Sequence, residues 1–284
     1  MGSAYSTMGL SRMRVGVFAL VMIFALAILT GCAGGGAGIE PPTQEGTPGL
    51  AFSSTHGGYE VTGYDGPEAN VVIPDEYEGY PVVGIADKAF KQAQIDSVTL
   101  GKNVTRIGDG AFKRCEYLET VNLNAALEVI DYEAFERCSN LKTVNVPADS
   151  SLEKIDTCAF FYCQSLESFT VPASTNYLGT GCFTDCTSLE QFTFENGWNG
   201  NIDGSCFEGC TSLGSIDIPA LTSLGKAAFS GWTSSQSVRI GSSLDSVKVC
   251  YSGYVYEASQ FESMSGVSAE EFWFMDCDAV VTTA

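Results

Sequence analysis

Phenylalanine recurs at Phe90, Phe112, Phe135, Phe160, Phe183, Phe207 and Phe229, at intervals of 22, 23, 25, 23, 24 and 22 residues. Aligned on these residues, seven units share one pattern. Five positions before each Phe stands an aliphatic side chain: Ile85, Ile107, Ile130, Ile155, Leu178, Ile202 and Leu224. Ala or Cys precedes the Phe directly. In the five central units Cys115, Cys138, Cys163, Cys186 and Cys210 follow three positions after it, and Leu118, Leu141, Leu166, Leu189 and Leu213 six after. The outer units depart: Phe90 is followed by Ala93, and Phe229 by Trp232 and Ser235. A unit of about 23 residues cannot bury its apolar face alone, so such units must stack into a solenoid whose end turns are atypical.

Within a unit, the Ala, Phe, Cys and Leu positions are spaced like one face of a short helix or 3₁₀ turn. Asp87, Asp109, Asp131, Asp156, Thr180 or Asp203 stands just before it, a residue type that caps free backbone N–H groups. After the leucine, Val121/Leu123, Val144/Val146, Phe169/Val171, Phe192/Phe194, Ile216/Ile218 and Val238/Ile240 alternate with polar residues, as in a strand with one buried face. At about 4.8 Å per strand, seven units make a rod roughly 30 Å long.

The side chains between the buried ones point outward on that reading. Thr99, Asn122, Asn145, Thr170, Thr193, Asp217 and Arg239 form one row, and Ser97, Thr120, Thr143, Ser168, Gln191, Ser215 and Ser237 another. Together they make a strip of small hydroxyls and amides, the candidate ligand-contact face. Equally, these residue types suit a solvated sheet with no ligand. The strip lacks the Tyr, Trp and clustered Arg that anchor tight interfaces, which points to weak or multivalent contact.

The pattern I-x₃-AF-x₂-C-x₂-L-x₂-V-x-V, as in Ile130 through Phe135, Cys138 and Leu141 to Val144 and Val146, resembles the BspA-like leucine-rich repeat of bacterial surface proteins. The resemblance covers about residues 80 to 240. It implies a leucine-rich-repeat solenoid of short strands and short helical or 3₁₀ turns, with residues 81–240 as the repeats. Residues 50–80, with Tyr59 to Tyr64 and Val71 to Pro74, resemble that family's β-hairpin start and are expected to cap the first unit. Residues 241–284, ending in the strand-like Ala279 to Thr282, are read as a C-terminal cap. The family implies adhesion to a host matrix protein or another bacterial surface molecule. A structural envelope protein without a specific ligand is the alternative, and an enzyme accessory or hydrolase comes third.

The N-terminus reads as an export signal. Arg12 and Arg14 precede an apolar run from Val15 to Leu29, which meets Thr30, Gly31 and Cys32. That run would span about 22 Å as a helix, short of a bilayer core, so cleavage is favoured over a membrane span. Leu29 to Cys32 resembles the bacterial lipobox, which implies a signal peptide over 1–31 and lipid on Cys32, holding the chain to a membrane. An ordinary secretory signal with an incidental cysteine is the alternative. Residues 32–49, rich in Gly and Pro, are expected to form a flexible tether.

Charge and inventory narrow the chemistry. Fourteen Lys and Arg face 34 Asp and Glu, so nucleic acid is not an expected partner. The sole histidine, His56, sits among polar and glycine residues and offers no base for a triad. The acids fall on outward or turn positions and form no identifiable cleft pair. No cofactor is expected. The ten cysteines after Cys32 leave three readings open: a ladder of free thiols packing the core, which is favoured; disulfides, with Cys250 and Cys277 as the outer pair; or a metal held by Cys182, Cys186, Cys206 and Cys210.

Overall fold

The computed structural model describes residues 44–241, 247–251 and 254–283. The signal segment, Cys32 and tether residues 33–43 lie outside them. Pro42–Ala284 forms one compact unit. All seven repeat phenylalanines are buried in a single continuous core.

Each unit makes one turn of a β-solenoid, and successive turns are joined edge to edge. The outward strip lies on a rail formed by the strands Asn70–Val72, Ser97–Thr99, Thr120–Asn122, Thr143–Asn145, Ser168–Val171 and Gln191–Phe194, a parallel six-stranded sheet. Val71, Val98, Val121 and Val144 are in register on its inner side. The rail resumes as a three-stranded sheet of Ser215–Ile218, Ser237–Ile240 and Val280–Thr283. The first of these rails begins at Asn70, earlier than the residue 81 at which the sequence motif becomes readable.

A second rail was not anticipated. In the five central units the aliphatic residue five before the Phe ends a strand of two or three residues, as in Arg106–Ile107, Val129–Ile130, Lys154–Ile155 and Tyr177–Leu178. Ile85, Ile107, Ile130, Ile155, Leu178 and Ile202 follow one another in parallel register. They belong to a twelve-stranded sheet. Two residues are too few to display an alternation, so only the neighbouring turns reveal the strand.

Between the rails the Phe segment turns tightly rather than winding into a helix. Ala111, Lys113 and Cys115 donate their N–H groups three residues back, to Gly108, Gly110 and Phe112. Gly110 and Arg114, two before and two after Phe112, take left-handed φ of 56° and 60°; Glu133 and Arg137 repeat this at 55° and 60°. Each non-glycine in that region costs about 1 kcal/mol. The gain is that every second N–H points along the solenoid: Gly110, Phe112 and Arg114 donate to Tyr132, Ala134 and Glu136 of the next turn. The buried backbone is thereby paired without a regular strand.

The Asp residues before the turns serve between turns more than within them. Asp87 accepts from the Asp109 N–H and from Arg106, Asp131 pairs with Arg106, and Asp203 accepts the Tyr177 hydroxyl. Asp156 accepts the N–H of Thr157 in its own turn. The expected helix-start caps are therefore largely replaced by lateral links, because the turn starts no helix.

Both ends are closed by aromatic side chains. Leu50–Thr55 and Gly58–Tyr64 form an antiparallel hairpin with the exposed His56 at its turn. Tyr64 lies 6.0 Å from the Phe90 ring and opens the phenylalanine column. At the other end Phe274 stacks on Phe229 at 5.9 Å, and two short helices, α1 (Ala258–Ser265) and α2 (Ala269–Trp273), bury Phe261, Phe272 and Trp273. The final strand expected near Ala279 is present as Val280–Thr283, parallel to Ser237–Ile240.

Gln44 to Gly49, read from the sequence as the end of the tether, are tied down. Gln44 donates its N–H to Asp75 and its amide to the Ile73 carbonyl, and Thr47 exchanges hydrogen bonds with Val72. Composition misleads here, because the partners are backbone and carboxylate groups that do not require apolar side chains.

Candidate interaction surface

The strip residues stand where the alternation places them. Thr143, Asn145, Ser168, Thr170, Gln191 and Thr193 are exposed, while Thr99, Thr120 and Asn122 are half-buried. In-register pairing sets them in rows: Ser97, Thr120 and Thr143 are Cα partners, as are Thr99, Asn122 and Asn145. Ser215, Asp217 and Arg239 continue the outward pattern on the three-stranded sheet, with Asp217 partnered by Arg239.

Many of these side chains satisfy one another. The Asn145 amide donates to the Asn122 carbonyl oxygen at 2.7 Å, and the Asn122 amide to the Thr99 hydroxyl at 3.0 Å. Thr170 and Thr193 hydroxyls lie 3.0 Å apart, and Arg239 pairs with Asp217 at 2.9 Å. Each link between exposed groups is worth well under about 1 kcal/mol. The rows form a pre-ordered polar surface whose side-chain entropy is already reduced before any partner arrives.

The cysteines have a specific role that packing alone did not suggest. The thiols of Cys115, Cys138, Cys163, Cys186 and Cys210 donate to the carbonyls of Phe90, Phe112, Phe135, Phe160 and Phe183, each in the preceding turn. In the last unit the Trp232 indole N–H makes the same bond to Phe207. A donor at this inward position satisfies the carbonyl of the preceding turn, and Cys supplies it with little polar surface. Burial pushes the Cys138, Cys163, Cys186 and Cys210 thiols up.

The ten described cysteines are free thiols, including Cys250 and Cys277. Cys250 lies opposite Gly225, between strands, whereas Cys277 sits in the turn after Phe274. The four sulfurs considered for a metal do not converge: Cys182 and Cys206 meet at 3.2 Å, but Cys186 and Cys210 are turned to their carbonyls. Among the described residues no group of three or more His, Cys, Asp and Glu is placed to hold a metal ion. Half-buried Tyr177 and Cys250 flank the buried Asp203, and burial, then the Asp203 carboxylate, pushes the Cys250 thiol up to about 12. Such a thiol is a weak nucleophile at neutral pH.

One feature of the turn edge escaped the sequence reading. Arg114, Glu116, Arg137, Ser139, Tyr162 and Gln164 line a groove of about 310 Å³. They are the residues two and four after Phe112, Phe135 and Phe160. The Arg137 guanidinium lies 4.9 Å over the Tyr162 ring. Their common offset from the Phe was the available signal, but nothing in the linear pattern showed that side chains flanking an inward Cys share one outer edge.

Parallel rails, stacked turns and a central aromatic column define a leucine-rich-repeat solenoid. The BspA type leucine rich repeat region model matches six copies over residues 83–200, 146–254 and 198–279. The chain belongs to this BspA-type leucine-rich-repeat family. A leucine rich repeat protein of T. pallidum is 30% identical, with a TM-score of 0.59 over 66% of this chain and 89% of that one. A leucine rich cell surface protein of Faecalibacterium prausnitzii is 26% identical, with a TM-score of 0.59 over 77% of this chain and 59% of that one. The chain thus spans little more than half of that second protein. A leucine-rich repeat protein of Bacteroides ovatus, 23% identical at a TM-score of 0.54 over 72% of this chain and 66% of that one, shares the fold. No curated protein matches the chain. Among the described residues no helix is long and apolar enough to cross a membrane.

Proposed function

We propose that this chain is an exported lipoprotein, held to a membrane through lipid on Cys32, whose solenoid binds a host matrix protein or a bacterial surface molecule. Leucine-rich-repeat domains generally mediate protein interactions, and BspA-like proteins are typically found on bacterial surfaces. The observation that carries the reading is the in-register polar strip, exposed from Thr143 to Thr193 on a parallel sheet. An extended, pre-ordered face of this kind fits contact spread over several turns. The role is binding and not catalysis, supported by a fold whose recurring offsets place thiols on carbonyls instead of on reacting groups.

The mutual hydrogen bonds along the strip favour a second reading, a structural envelope protein whose polar rows only protect the sheet. One experiment separates the two. Asn145→Arg and Thr170→Arg, made singly, place bulky charge on the strip. Loss of cell or matrix adherence with an unchanged melting temperature supports binding; full adherence in both variants rejects the strip as the contact face.

A further inference from the structure

Tyr and Arg, scarce on the strip, are present on the turn edge. Tyr117 and Tyr132 are 57% and 42% exposed, and Arg114, Arg137 and Tyr162 line the groove. Tyr and Arg are the side chains that carry most interface energy. The strip therefore provides area, and the turn edge of the second to fourth units provides anchors.

We propose that the groove between Arg114, Arg137 and Tyr162 is the anchoring site for a carboxylate side chain on an extended segment of a protein partner. This deepens the binding role proposed above and rests on it. Arg114 is exposed and its guanidinium has no ion pair among the described residues. Arg137 is held on the Tyr162 ring and by Glu136 at 3.2 Å, so its direction is set before binding. Arg114 and Arg137 occupy the same offset on adjacent turns and line one groove, and a guanidinium binds a carboxylate through bidentate contacts. Ser139 and Gln164 add neutral polar groups along the same groove, suited to the amides of an extended backbone.

Charge decides between a peptide and an acidic polysaccharide. The chain carries 34 acids against 14 Lys and Arg, and Glu116 lies in the groove itself. A polyanion would meet Glu116 and the net negative charge of the chain beyond the two arginines, whereas a single carboxylate with neutral or basic flanks would not. The groove crosses three turns, about 10 Å, the length of three extended residues.

The test is an array of immobilised heptapeptides with randomised flanks and a central Glu, paired with the same array carrying a central Gln, probed with the full-length chain. The expected result is at least tenfold greater binding to the Glu set, its loss in the exposed variant Arg114→Gln, and its retention in the strip variant Asn145→Arg. Equal signals for Glu and Gln, no binding to either, or insensitivity to Arg114→Gln would overturn the proposal. So would preferential binding of uronic-acid oligosaccharides on the same surface. Adherence lost in Asn145→Arg but intact in Arg114→Gln leaves the binding role standing while removing the groove.

Discussion

The rings of Phe112 and Phe135 lie 5.1 Å apart with their planes 2° from parallel. Phe160 and Phe183 continue the column at 5.2 Å and 6° each. That spacing is close to the distance between adjacent strands, so the ring column and the two rails share one repeat and each turn is a copy of its neighbour. The column is the part of the molecule that every unit must get right.

Truncation of Phe135 to alanine is therefore expected to cost about 3 to 5 kcal/mol, since the side chain is fully buried between two rings. Denaturant titration reads this directly. Because each turn rests on its neighbours, a broadened or biphasic transition is expected instead of a simple shift. A loss under about 1 kcal/mol contradicts the stacking.

The thiol ladder predicts an alkaline limit. Burial raises the folded thiols of Cys138, Cys163, Cys186 and Cys210 above the ordinary value of 9.0. Below 9 the neutral thiol is present in both states and the contribution is complete; as pH rises from 9 through the folded values it is lost, because only the unfolded chain releases its protons. Urea midpoints should fall above about pH 9, and the double variant Cys138→Ala/Cys163→Ala should fall less steeply. Parallel profiles for the two proteins would remove the thiols as the cause.

Asp75, near the first turn, predicts an acid limit. Burial raises its carboxyl, but the Gln44 and Lys102 N–H groups, with Lys102 itself at 3.7 Å, outweigh burial and hold it below the ordinary 3.8. Its contribution is present above 3.8 and lost as pH falls through the lower folded value. Asp75→Ala leaves those donors unpaired, for a cost of about 1 to 3 kcal/mol at pH 7. Thermal melts from pH 7 to pH 2 should show the variant losing less on acidification than the native chain does.

For the anchor, Cys32→Ser is expected to move the protein from the membrane fraction to the medium, with its melting temperature unchanged. Fractionation followed by intact mass measurement checks both position and lipid. Continued membrane retention of the serine variant would reject a lipid at this cysteine.

The linear pattern by itself determined the repeat period, the inward Phe, Cys and Leu positions and the outward strip, because a motif at a fixed period with alternating polarity has only one arrangement that buries all copies. The tertiary structure decided what depends on neighbours. The two-residue strands ending at Ile107 or Ile130 exist only through pairing with the next turn. The left-handed backbone at Glu133 and Arg137 is held by bonds from Glu133 and Arg137 to Thr157 and Phe161 of the following unit. The docking of Gln44 on Asp75 and the Arg137–Tyr162 contact likewise join residues 31 and 25 positions apart. A period can be read from one dimension; hydrogen bonds between turns, and the outer grooves those turns create, arise only when the copies are stacked.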